Sequence, residues 1–167
     1  MAPFWEFTWA ALVLGAGATF CMDVWGLVQK HILRINVLDY ALVGRWIGHL
    51  PQGRMRHEAI ARAAPVKGER ALGWAAHYLI GIIFAAIFIA AAGQAYLAAP
   101  TLIPALAMGI VTVGAPYFIL QPAFGLGIAA SRTPKPWFAR LKSLSTHLVF
   151  GLGLYLSAQV WTVSLAV

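Results

Sequence analysis

The stretch ALGWAAHYLIGIIFAAIFIAAAG, residues 71–93, decides the fold. It contains no Asp, Glu, Lys or Arg. As a helix, about 20 apolar residues cross the hydrocarbon core of a bilayer. Lipid offers no partner to a peptide group, so such a run has to satisfy its backbone internally and is predicted to be α-helical. Three further runs have the same character, at roughly Trp5–Leu27, Leu102–Gly125 and Ser143–Val163. Pro104, Pro116 and Pro122 fall in the third of these. Transmembrane helices tolerate such prolines where neighbours satisfy the freed carbonyls. The expected fold class is therefore all-α, an integral-membrane bundle of four transmembrane helices forming a single domain over residues 1–167.

Composition agrees. Of 167 residues, 61% are hydrophobic and 10% charged, against about 25% charged in ordinary soluble domains. Lys and Arg number 12 against 5 Asp and Glu, a formal net charge of +7. This excess does not read as a nucleic-acid surface, because its position is restricted. Eight basic residues lie between Lys30 and Arg70, and the rest are Arg132, Lys135, Arg140 and Lys142. Basic charge confined to two connections between apolar runs is the positive-inside pattern. It places segments 28–70 and 126–142 in the cytoplasm, with the uncharged link Gln94–Thr101 outside. Both termini are then extracytoplasmic, and the expected location is a bacterial inner membrane. Trp5, Trp9, Tyr96 and Trp161 are expected near the outer interface, and Trp25, Trp74 and Trp137 near the inner one. Cys21 is the single cysteine, which excludes an intrachain disulfide. The first run carries Glu6 and lacks a basic leader, so it does not read as a secretory signal.

Segment 28–70 is too long to be structureless in a compact protein. Leu38, Leu42, Trp46 and His49 recur at helical spacing behind a capping Asp39. Met55, Ala59, Ile60 and Ala63 form a second stripe. Pro51 separates the two, and Pro65 ends the second. The reading is a basic interfacial segment of two short helices, with Arg45, Arg54, Arg56 and Arg62 meeting anionic lipid headgroups.

Few ionisable groups fall within the spans. Asp23 lies seven residues before Lys30, His77 seven after Arg70, and His147 seven after Arg140. At 1.5 Å per residue each is roughly 10 Å inside its flanking charge, so all three are expected at one level, toward the cytoplasmic leaflet. Gln121 lies close to that level. Faces agree: Gly15, Thr19 and Asp23 follow one another at four-residue spacing, as do Gly73, His77 and Gly81, and Ser143, His147 and Gly151. Small residues mark faces where membrane helices approach. The shared Arg, His and Gly spacing of the second and fourth runs also suggests a weak internal repeat.

Three chemistries fit this polar level. It can be a hydrogen-bonded network that fixes helix register. It can be a ligand or proton site in a small transporter-like protein, formed by Asp23, His77, His147, Gln121 and Thr19. It can be a metal or haem site using His77, His147 and Asp23. A His-x-x-x-His spacing is absent, as are Walker, Gly-x-Ser-x-Gly and Cys-x-x-Cys patterns. Gly125-x-Gly127 is too short for a phosphate loop. His57 and Glu58 are expected to be solvated, and Glu69 to form an interfacial ion pair or cap. A bundle this small is also expected to work as a homo-oligomer.

Several stretches resemble an uncharacterised, domain-of-unknown-function group of small bacterial inner-membrane proteins. They are Gly17-Ala18-Thr19 leading to Met22-Asp23, Gly44-Arg45-Trp46 with Gly48-His49, and Pro65 through Glu69. They continue with Gly73 through Tyr78, Gln121-Pro122 through Gly125, and Ser131 through Pro134. The resemblance covers nearly the whole chain. It implies a four-helix bacterial membrane protein and brings no activity, substrate or cofactor.

Overall fold

The computed structural model describes residues 4–165, and among them the chain is helical with no strand. The helices are α1 (Phe4–His31), α2 (Tyr40–His49), α3 (Glu69–Ala92), α4 (Ala95–Ala98), α5 (Leu102–Thr112), α6 (Gln121–Ala123) and α7 (Pro136–Leu165). Three stretches are long and apolar enough to cross a membrane: Trp5–His31, Glu69–Ala92 and Leu102–Ala123. The expected fourth is not among them. α7 is 30 residues long but begins at Pro136, ahead of the apolar run. Its first turns carry Arg140, Lys142, Ser143, Ser145, Thr146 and His147.

The third apolar run is not a uniform helix. α5 ends at Thr112, and a π turn follows at Pro116–Leu120. Pro116 has no N–H to continue an α-helical ladder. The Gln121 N–H then reaches back five residues to the Pro116 carbonyl, which absorbs the break as a π turn.

The interfacial segment is half as expected. α2 forms behind Asp39, whose carboxylate accepts from the Ala41 N–H at 2.9 Å, the capping role read from the sequence. The second expected helix is absent, and only a 3-10 turn at Ile60–Arg62 remains. The reason is competition for backbone donors. The N–H groups of His57 and Ile60 donate to the carbonyls of Ala123 and Phe124 at 2.9 and 3.3 Å. Ile60 buries its side chain with Val43, Ala123 and Phe124.

The chain divides into two compact units. One contains Met1–Asn36, Tyr78–Thr112 and Thr146–Val167. Its core is built from Ala10, Leu14, Ala18, Ala85, Phe88, Ile89, Phe150, Leu154 and Ala158. Small residues let its helix backbones touch. A Cβ at Gly15 would run into the Ile82 backbone of α3, one at Gly153 would meet the Ala18 backbone of α1, and one at Gly109 would strike the His147 carbonyl of α7. The faces read from Gly15, Gly81 and Gly151 are thus contact faces. Trp5 and Trp9 stand out from the surface, whereas Tyr96 and Trp161 are buried. α4 folds back so that the Tyr96 ring packs edge-on to Phe88 and its hydroxyl donates to the Thr101 carbonyl at 3.0 Å.

The other unit contains Val37–His77 and Val113–Ser145. α2 and the start of α3 interlock through two glycines. A Cβ at Gly44 would collide with the Glu69 carbonyl, and one at Gly73 with the Tyr40 carbonyl. Arg45 locks the same junction. Its Nε and Nη2 donate to the two Glu69 carboxylate oxygens at 2.9 and 2.7 Å. Its Nη1 donates to the carbonyls of Ile60, Ala61 and Ala63 at 3.3, 3.2 and 3.2 Å. Glu69 also accepts from the Val66 N–H at 2.9 Å. The Glu69 bonds raise the Arg45 pKa above its ordinary value. Arg45 is therefore spent inside the protein, in place of the headgroup contact expected for it. Arg54, Arg56 and Arg62 remain exposed.

Two stability predictions follow from these junctions. Gly73→Ala is expected to lower the thermal midpoint in detergent, at a cost of about 1–3 kcal/mol from overpacking. Gly26→Ala, where nothing lies within 4 Å, should be neutral or stabilising; equal midpoints for the two variants would contradict the backbone contact. Arg45→Lys keeps the charge but loses the planar fork that reaches Glu69 and three carbonyls together. It should also lower the midpoint, and an unchanged value would mean that charge alone holds the junction.

Candidate functional site

The two units differ sharply in charge. Unit Val37–His77 with Val113–Ser145 holds ten of the twelve Lys and Arg and three of the five Asp and Glu. The whole formal excess of +7 therefore lies there, and the other unit is formally neutral. The neutral unit contains the whole of the apolar stretch along α1 and the larger part of the one along α3.

The expected polar level divides between the units. In the neutral one, the half-buried Asp23 carboxylate on α1 accepts from the Tyr78 hydroxyl on α3 at 2.9 Å. Thr19, fully buried, donates to the Gly15 carbonyl at 2.7 Å, one turn back. It also sits where a Cβ on Gly81 would be, so its place is the α1–α3 crossing. His147 on α7 meets Thr112 on α5, with Nδ1 2.9 Å from the threonine hydroxyl. That hydroxyl donates to the Gly109 carbonyl at 2.9 Å. Its oxygen is then left to accept from an Nδ1–H of His147.

His77 and Gln121 belong to the basic unit. The His77 ring stacks on Tyr40 at 4.0 Å between centroids and meets Trp74 edge-on at 5.8 Å. Gln121, buried behind the π turn, donates to the Ser143 hydroxyl at 3.2 Å. Its Oε1 is buried without a partner. His77 and His147, alike in sequence spacing, thus have unlike neighbours: an aromatic pair for one and a hydroxyl for the other. Among the described residues no group of three or more His, Cys, Asp and Glu is placed to hold a metal, so Asp23, His77 and His147 do not form the metal set considered from the sequence.

The basic unit also holds a constellation that the sequence reading set aside. His49 is buried, and its Nδ1 lies 2.8 Å from His57 Nε2. The two rings share one proton across this bond. His57 Nδ1 is buried with no hydrogen-bond partner. His57 lines a cavity of about 510 Å³ together with Arg56, Glu58, Ser131, Arg132 and the Gly125–Ile128 turn. Glycine is needed at 125, where φ is +86° and a Cβ would meet the Glu58 carbonyl. Glycine is needed at 127 as well, where φ is +76° and a Cβ would strike the Ser131 hydroxyl.

The turn after these glycines is strained. Ala129 and Ala130 have φ of 47° and 59°, a left-handed conformation that costs an alanine roughly 1–2 kcal/mol. Two side chains hold it there. Arg140 Nε donates to the Ala129 carbonyl at 2.8 Å, and the Thr133 hydroxyl to the Ala130 carbonyl at 2.8 Å. Strain of this kind persists where the surroundings over-determine it, and functional sites are where it gathers. Its result here is to present Ser131 and Arg132 to the cavity.

The sequence signals for this site were Gly125-x-Gly127, Arg132 and the adjacent His57 and Glu58. What hid them was the separation of about 70 residues in sequence between the two segments, which are joined by long-range backbone hydrogen bonds that no local pattern announces.

No curated protein and no solved structure matches the chain. Its own sequence matches one family over residues 12–161, most of its length. The chain belongs to the family described as protein of unknown function (DUF2938).

Proposed function

We propose that this is a small transporter-like protein of a bacterial inner membrane that handles a proton within the bilayer at Asp23. The observation that carries the reading is the hydrogen bond from Tyr78 to the Asp23 carboxylate, on two helices that are both apolar enough to span. An ionisable group in such a helix is costly, and its default role is functional. The phenol is a neutral donor and sets no charge beside the carboxylate. The carboxylate can therefore exchange a proton while the bond to Tyr78 keeps its position. The His147–Thr112 pair gives the same unit a second group able to bind and release protons.

In this reading α7 is a fourth crossing. Its 30 residues reach about 45 Å at 1.5 Å each, so the polar first turns can lie at the interface and the remainder can still span. Four crossings and the basic segments 28–70 and 126–142 put both termini outside the cytoplasm. Reporter fusions test this. Alkaline phosphatase fused after residue 167 should be active, and fused within segment 126–142 inactive; the reverse pattern would overturn the topology.

The proton reading is tested in vesicles that enclose a pH-sensitive dye. Wild-type protein should relax an imposed pH gradient faster than protein-free vesicles do. Asp23→Asn, which retains an acceptor for Tyr78, should slow relaxation about tenfold or more, because the carboxylate is the group that titrates. Its thermal midpoint should stay close to the wild-type value. Equal rates for wild type and variant, or no flux above empty vesicles, would leave Asp23 a purely structural group.

A further inference from the structure

We infer that the cavity of the basic unit is a binding site for a phosphoester that carries a neighbouring ammonium group. The observation is a set of facing charges that do not neutralise one another. Arg56, Arg132 and Glu58 line one cavity of about 510 Å³. None of the three side chains has a hydrogen bond or ion pair to the protein among the described residues. Arg45 in the same unit takes Glu69 and Arg140 takes the Ala129 carbonyl, whereas Arg56, Glu58 and Arg132 are left to the cavity. Arginine pairs with carboxylate wherever geometry lets it. All three side chains are exposed around one volume, and none is taken up by a partner in the protein.

That backbone is fixed on both sides. Segment 56–58 is tied to the turn by the bond from the His57 N–H to the Ala123 carbonyl, 2.9 Å long. Its carbonyls at His57 and Glu58 lie where a side chain on Gly125 would be. Ser131 and Arg132 are set by the left-handed turn that Arg140 and Thr133 clamp.

The chemistry of the lining names the ligand class. Two guanidinium groups and the Ser131 hydroxyl supply donors of the kind that recognise a phosphate, for which arginine's planar fork is suited. His57 backs the cavity, with Nε2 engaged by His49 and Nδ1 buried without a partner. Glu58 would repel a bare phosphate and attract a cation. Together they suit a group negative at one end and positive at the other, with a few bonds between. The volume lies within the range of small-molecule sites. Such a group can come from a lipid headgroup or from a free phosphoester. This site uses none of the residues of the Asp23 reading, so either can fail alone.

The test is binding to the full chain in a neutral detergent. Calorimetric titration with O-phosphoethanolamine reports the free phosphoester, and native mass spectrometry with short-chain phosphatidylethanolamine reports the headgroup. Binding in either arm is expected, weakened about tenfold or more by Arg56→Gln and by Arg132→Gln and unaffected by Lys30→Gln. Glu58→Gln supplies the specificity readout. It should weaken the ammonium-bearing ligand while binding of inorganic phosphate stays equal or tightens. Binding of the soluble ligand would identify a free phosphoester site, and binding of the lipid alone a headgroup site. Absence of binding in both arms, or equal binding by wild type and both arginine variants, overturns the proposal. Preference for inorganic phosphate over phosphoethanolamine in the wild type also overturns it.

Discussion

The cost of placing charge in an apolar phase is the constraint on which the rest of this structure depends. A chain that is 61% hydrophobic has few positions where Lys or Arg can stand without burial. Here almost all of them lie in one unit, while the other is formally neutral. The neutral unit is free to use the helix packing that suits low-dielectric surroundings, with glycine and alanine bringing backbones into contact. The basic unit is built differently, from a short capped helix, extended chain and tight turns. Irregular backbone needs side-chain and cross-chain partners, and arginine supplies many of them.

Arginine accordingly has two distinct uses within one unit. Arg45 and Arg140 are structural. One closes five hydrogen bonds across a junction, and the other pins a left-handed turn. The side chains of Arg56 and Arg132 have no hydrogen bond or ion pair among the described residues. A composition-level reading treats all of them as one basic surface, and the expectation that Arg45 meets headgroups came from that averaging. Guanidinium geometry separates the two uses. A planar fork that finds a carboxylate and several carbonyls within about 3 Å becomes part of the scaffold.

The parts of the fold legible in the sequence are those set by transfer free energy alone. α1, α3 and the third apolar run announce themselves by length and hydropathy, and the structure has stretches of spanning quality at all three. The contact faces through Gly15, Gly81 and Gly151 were legible for the same local reason, because the absence of a side chain is a local property. The second interfacial helix was misread because its hydrophobic stripe, Ala59, Ile60 and Ala63, is real, but its donors at His57 and Ile60 go to Ala123 and Phe124. Amphipathic spacing says which side chains are buried, and Ile60 is. It does not say which carbonyls the backbone will choose. The pairing of His49 with His57 was not legible for a related reason, since His57 lies in that extended segment. Of the candidate site, Asp23 could be singled out by depth, but its partner Tyr78 could not, because a tyrosine at a membrane depth is unremarkable until its hydroxyl meets a carboxylate.

The π turn shows how sequence irregularity shapes the wall of the cavity. Pro116 removes one backbone donor, and the chain responds by slipping to a five-residue bond at Gln121. Pro122 follows at once and removes a second donor. The helix ends within a few residues, at Phe124, and Gly125 takes the left-handed conformation that turns the chain. Without that early end, the carbonyls of Ala123 and Phe124 would be consumed by a continuing helix. They would not be available to His57 and Ile60. The extended segment carrying Arg56 and Glu58 would then lose its anchor. Two prolines and a glycine, each unfavourable to a helix interior, therefore combine to expose two carbonyls, and those carbonyls position the charges that line the cavity.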